Sequence, residues 1–163
     1  MNTFEAIAAR YSYRGKYLST PVPREHLKMI LEAGCAAPSG CNKQTTSVIA
    51  VDDPELIRQF GELMEAPNFG SAPAGICILT EKKIAYRDRT FYIHDYSAAI
   101  ENALLAIQAL GYESCWVEGY VTGDDRIGRR MADLLDHNAE IFTFLFRRGF
   151  VFCQCAGDPD YQE

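Results

Sequence analysis

The segment "RYSYR", Arg10 to Arg14, brackets Ser12 with two arginines four residues apart. Guanidinium groups make charge-assisted, often bidentate bonds to an anion such as phosphate, and the serine hydroxyl is a further donor. On one continuous helix the two cations would share a face and repel by a few tenths of a kcal/mol, so an anion would justify the arrangement. The plainer account is a pair of solvated cations complementing a helix C-terminus. A second segment, "APSGCNKQ", sets the amides of Asn42 and Gln44 two apart where a loop meets a strand. Amide side chains both donate and accept, as the edge of a heteroaromatic ring requires. The plainer account is that Pro38, Ser39, Gly40 and Asn42 are turn formers. A third segment, "WVEGY", ends a strand at Val117 and continues with Glu118 and Gly119. A glycine there lets a planar ligand lie against the backbone, and it equally serves a strand-ending turn.

No acid–base pair or nucleophile accompanies these segments. His26, His94 and His137 lie far apart, and the neighbours His94 and Asp95 would not face each other on a helix. A Ser–His–Asp hydrolase is therefore disfavoured. The six cysteines follow no paired-ligand spacing, and Cys153-x-Cys155 has no second pair or nearby histidine to complete a tetrahedral metal site. No metal is expected, and the cysteines read as buried free thiols of a reducing compartment. Neither G-x-G-x-x-G after a strand nor G-x-x-x-x-G-K-[ST] occurs, which removes most support for a Rossmann nucleotide site or a P-loop.

The elements that must position these groups are legible in outline. "NTFEAIAAR" reads as a helix with Asn2 or Thr3 as cap and Phe4, Ile7 and Ala8 at helical spacing. "PREHLKMILEAGCAA" is a second helix, with Leu27, Ile30 and Leu31 as its apolar stripe and Pro38 as its stop. "TTSVIAV" and "AGICILT" are strands, separated by an amphipathic helix over "DPELIRQFGELM" that Asp52 or Asp53 caps. "KKIAYRDRTFY" is polar and reads as a cover over a site. "DYSAAIENALLAIQALG" is the strongest helix, apolar nearly all round, central, and ended by Gly111. "SCWVEG" is a short strand, "GDDRIGRRMADLL" a surface helix and "EIFTFLF" a last strand. Strands and helices mix without an internal repeat, which predicts an α/β or α+β domain with helices covering a sheet.

Composition sets the outer limits. The 163 residues suffice for one domain with its own core, spanning 1–163. A net charge of −6 argues against general nucleic-acid binding. No apolar run reaches the roughly 18 residues of a membrane helix, and the N-terminus lacks the features of a signal peptide. The expectation is a cytoplasmic protein with no nucleic-acid or membrane partner.

Taken in order, the first helix, "R-x-S-x-R", the second helix, "APSxxNxQ", the β-branched strand, "DYSAAIENALLAIQALGYESCW" and "VEG" resemble the nitroreductase family of flavoproteins over roughly residues 2–145. The resemblance implies an α+β fold with a central mixed or antiparallel sheet flanked by helices. It implies non-covalently bound FMN, NADH or NADPH as electron donor, and a homodimer with two sites at the subunit interface. It implies reduction of small electron-poor acceptors, such as nitroaromatics or quinones, by a ping-pong cycle. Carried over by motif, Arg10, Ser12 and Arg14 would contact the flavin phosphate and ring edge. Pro38, Ser39, Asn42 and Gln44 would form the other half of the site, reaching the flavin across the dimer interface. Glu118 and Gly119 would lie beside the reactive ring nitrogen. No catalytic side chain is implied, because the cofactor carries the chemistry. A flavin-binding protein with little turnover, serving storage or sensing or derived from a degenerate enzyme, is the alternative. A small interaction domain without flavin is a third reading.

Two departures from the family pattern stand out. Thr45 and Thr46 follow the amide pair where many relatives have Pro-Trp. The tail from about 146 to 163, part of "FTFLFRRGFVFCQCAGDPDYQE", stands where the resemblance implies a longer segment with basic residues and an arm that wraps the partner subunit. Either Arg147 and Arg148 stand in for the missing basic groups, or the tail comes from a shifted reading frame. A shortened arm would weaken the dimer and FMN affinity, and an exposed apolar run of this kind is an aggregation hazard.

Overall fold

The computed structural model describes residues 1–65, 68–118, 127–138 and 150–155. Helix α1 (Thr3–Ala9) starts at a capping box: the Asn2 side chain accepts from the Glu5 N–H while Glu5 accepts from the Asn2 N–H. It ends at Arg10, whose backbone is already extended. Helix α2 (Arg24–Cys35) follows Pro23 and buries Leu27 and Ile30. Strand β1 (Thr46–Val51) leads to α3 (Pro54–Leu63), which Asp53 caps by accepting from two backbone N–H groups. Strand β2 (Ala74–Thr80) follows, then a hairpin of β3 (Ile84–Tyr86) and β4 (Arg89–Thr90). Both turn residues of that hairpin, Arg87 and Asp88, are left-handed, with φ of 45° and 61°. Such a pair matches the twist of a two-residue hairpin.

Helix α4 (Tyr92–Ala109) ends as the sequence predicts: Gly111 has φ +84°, its N–H bonds to Gln108 O, and the Tyr112 N–H reaches back to Ile107 O. That bonding satisfies the last carbonyls, and glycine takes the left-handed position without a Cβ penalty. Strand β5 (Ser114–Val117), α5 (Ile127–Asn138) and β6 (Phe150–Cys155) complete the described elements.

Four strands form one antiparallel sheet in the order β1-β2-β6-β5. Alternation along the strands divides the core. Ala74, Ile76 and Ile78 of β2 pack with Leu27 and Ile30 of α2 and Ile100 and Leu104 of α4. Cys77, Val51 and Cys115 face the opposite cluster, which holds Ile57 and Phe60 of α3 and Met131 of α5. Both faces of the sheet are therefore covered, which is why "AGICILT" is apolar throughout rather than alternating. Among the described residues no helix is long and apolar enough to cross a membrane.

The structure adds what the sequence left open. Helix α1 turns its apolar stripe outward: Phe4 is 84% and Ile7 53% exposed, and only Ala6 is buried. Helical spacing identifies a stripe but not the surface it meets. The segment "FVFCQC" is no loose apolar tail: it forms β6, hydrogen-bonded to β2 on one edge and β5 on the other. Pairing both edges removes the open template that makes such a run hazardous. The strand expected over "EIFTFLF" lies outside the described residues, as do Arg147 and Arg148. "KKIAYRDRTFY" supplies the hairpin, which packs beside the Gly40–Asn42 turn.

Candidate functional site

Because α1 stops at Ala9, "RYSYR" is not helical, and Arg10 and Arg14 do not stack on one helix face. Arg10 is the C-cap of α1, and its Nε lies 3.7 Å from Glu101 on α4. The chain then runs beside β5: Ser12 bridges to Ser114, and the Tyr13 N–H donates to Ser114 O at 2.9 Å. Tyr13 anchors the segment, buried to 1% exposure against the Tyr17 ring at 5.0 Å. Arg14 is exposed, donates to Ser12 O at 3.3 Å, and pairs with no carboxylate among the described residues. Ser12 and Arg14 both lie beside Cys115; burial raises that thiol's pKa, while the Arg14 charge and the Ser12 hydrogen bond oppose the rise.

The "APSGCNKQ" loop is strained. Cys41, Asn42 and Gln44 have φ of 50°, 53° and 48°. Asparagine tolerates this region, but a Cβ makes it unfavourable for cysteine and glutamine. Such outliers persist only where surrounding structure over-determines them, and they cluster at ligand clamps. Here the loop is bonded internally, Asn42 N–H to Ser39 O and Gln44 N–H to Ser39 Oγ, both at 2.9 Å. It is bonded externally to Asp95, which accepts from the Gly40 N–H at 2.8 Å and from the Thr45 hydroxyl at 2.6 Å. The loop leaves Pro38, Asn42 and Gln44 exposed and Ser39 half-buried.

Glu118 follows β5 and accepts from the Tyr96 hydroxyl at 2.6 Å. Burial, and then the bond to Glu118, raise the Tyr96 pKa, so the phenol holds its proton. Gly119 lies outside the described residues.

Helix α4 is the common support. Asp95 and Tyr96 in its first turns hold the amide loop and Glu118, and Glu101, about 9 Å further along the axis, holds Arg10. The loop and Glu118 are thus each held from the N-terminal turns of α4, by the neighbouring residues Asp95 and Tyr96, while the arginine segment attaches further along it and at β5. Asp95, Tyr96, Thr45 and Glu101 were not singled out from the sequence as site residues. The only pointer was the His94-Asp95 dipeptide, and its partner proved to be Thr45, fifty residues away, rather than a histidine. His26 bonds to the Tyr112 hydroxyl at 2.7 Å, and the His94 ring packs on Phe91, so neither joins the site segments.

The donor set suits a flat, anionic ligand. Guanidinium groups and a hydroxyl lie on one segment, and exposed amides stand on a strained, tethered loop. Comparison with known proteins identifies the family. The nitroreductase family model matches residues 7–66 and 62–142, and the chain belongs to the nitroreductase family. It is 33% identical over 108 residues to a putative NADH dehydrogenase/NAD(P)H nitroreductase of Archaeoglobus fulgidus, covering 64% of this chain and 60% of the relative. A protein of the same description from Methanothermobacter thermautotrophicus is 30% identical over 139 residues, covering 84% of this chain and 72% of the relative. The chain thus spans well short of the full length of both. A solved structure described as an FMN-dependent nitroreductase of Clostridium difficile R20291 superposes with a TM-score of 0.77 at 24% identity, covering 98% of this chain and 90% of that one. At that identity the superposition establishes the α+β nitroreductase fold.

Proposed function

We propose that this protein is a homodimeric FMN-dependent oxidoreductase, one domain over 1–163. It passes electrons from NADH or NADPH to small electron-poor acceptors, such as nitroaromatics or quinones, by a ping-pong cycle. The observation that carries the reading is the strained loop around Asn42 and Gln44, held against α4 with its amides exposed. When bound, FMN supplies the hydride-accepting ring, and the protein supplies binding, orientation and exclusion of water. Arg14 and Arg10 would hold the phosphate together with Ser12. Ser39, Asn42 and Gln44, with Pro38 beside them, would meet the ring edge. Glu118, fixed by Tyr96, and Gly119 would lie beside the reactive ring nitrogen. The outward apolar stripe of α1 supports the homodimer, because an exposed Phe4 and Ile7 need a partner surface. Small-molecule acceptors and a cytoplasmic location are part of the same reading.

The test is the visible spectrum of the purified chain, before and after adding FMN and desalting, followed by oxidation of NADH and NADPH. Retained flavin bands with acceptor-dependent turnover are expected. A colourless chain that refuses FMN would overturn the reading. Retained flavin with slow turnover for every acceptor would leave storage or sensing in its place.

A further inference from the structure

We propose that Asp95 is the positioning residue of the amide loop. It grips both ends of the strained segment, through the Gly40 N–H and the Thr45 hydroxyl, and so keeps Asn42 and Gln44 in ligand-ready backbone conformations; this rests on the FMN reading above. Three left-handed residues in a stretch of four do not hold themselves. The loop's internal bonds run from Asn42 and Gln44 to Ser39 and from Lys43 to Gly40, so they close turns without fixing the loop to the body of the fold. Asp95 does fix it. Its Oδ1 accepts from the Gly40 N–H at 2.8 Å and its Oδ2 from the Thr45 hydroxyl at 2.6 Å.

The anchor is rigid on both sides. Asp95 is 4% and Thr45 6% exposed, so water offers little substitute for either bond. Asp95 sits in the first turn of an 18-residue helix whose inner face lies in the core. Gly40 adds a steric stop: a Cβ built there would sit 2.7 Å from the Phe91 Cβ, so the loop start already touches the N-terminus of α4. Neither Asp95 nor Thr45 is assigned here to the flavin itself. Their task is to set the backbone that presents the amides.

The test compares Thr45→Val, Asp95→Asn and Asp95→Ala with the parent. FMN dissociation constants come from flavin fluorescence titration, and amide hydrogen exchange at residues 40–45 is followed in the flavin-free chains. Valine matches threonine in shape and puts a methyl where the hydroxyl donates to Asp95. Asparagine preserves the clamp, its carbonyl accepting from Gly40 and its amide donating to the Thr45 oxygen. Thr45→Val should weaken FMN binding about ten-fold and speed exchange at Asn42 and Gln44, with Asp95→Ala worse and Asp95→Asn within about three-fold of the parent. If Asp95→Ala does not fold, Thr45→Val decides. Parent-like FMN affinity and exchange in Thr45→Val would overturn the proposal. So would a lowered melting temperature with affinity unchanged, because that is a purely structural role. If the parent itself takes up no FMN, the FMN reading fails and the clamp is judged on loop exchange alone, where unchanged protection in Thr45→Val overturns it.

Discussion

Replacing Phe4 with glutamate should dissociate the proposed homodimer while leaving the protomer folded. Phe4 is 84% exposed on the outer face of α1, so the side chain contributes almost nothing to the protomer's own core. Fully burying a phenylalanine contributes about 1.5–3 kcal/mol, so covering the exposed part contributes about 2 kcal/mol per copy. A two-fold interface presents the same patch from both subunits, which makes the loss about 4 kcal/mol, or about a thousand-fold in the dimer dissociation constant. Desolvating the new carboxylate adds to this. Sedimentation velocity over a concentration series reads the dissociation constant, and circular dichroism at a dilution where both chains are monomeric reads the fold. A dimer constant for Phe4→Glu within a few-fold of the parent's would refute the reasoning. A melting temperature lowered in the monomer would refute the outward placement of α1.

Four further outcomes are expected. Arg10→Ala should weaken FMN retention more than Arg148→Ala, because Arg10 lies in the matched motif and is oriented by Glu101; titrating both variants with FMN checks the ranking. Gly40→Ala should cost about 1–3 kcal/mol in urea unfolding, since the added Cβ meets the Phe91 ring and Cβ and neither is a flexible chain end. Tyr96→Phe removes the 2.6 Å bond to Glu118 and should cost about 1.5–3 kcal/mol in the same assay. Burial raises the Glu113 pKa above 4.5, only partly offset by the bond from Tyr11. The folded chain therefore keeps this proton to higher pH than the unfolded chain, and the associated stability is lost as pH rises through the folded value. Glu113→Gln should flatten the fall in melting temperature as pH rises above the ordinary carboxylate range.

The candidate site was legible as segments and little of it as contacts. "RYSYR", "APSGCNKQ" and "WVEG" each carry donors, amides or turn formers, and it is their order along the chain, not any one of them, that marks them as candidates. The Asp95 clamp was not legible, since its partners are 50 and 55 residues away. Nor was the left-handed backbone at Cys41 and Gln44, which runs against the preference of both residue types. Local rules fail at such strained positions because tertiary contacts override them.

The sequence by itself marked three helix ends and the buried character of β2. The Asn2–Glu5 capping box, the Asp53 cap and the Gly111 terminator act within five residues, and the β2 run declares a strand covered on both faces. Only the tertiary structure decided the rest. It placed "FVFCQC" between β2 and β5, turned the apolar stripe of α1 outward, and hung the amide loop and Glu118 from the first turns of α4. The physical reason is range. Caps and turns satisfy backbone groups from near neighbours in the chain, whereas a strand's place, a stripe's partner and a buried carboxylate's donors depend on which distant surfaces pack together.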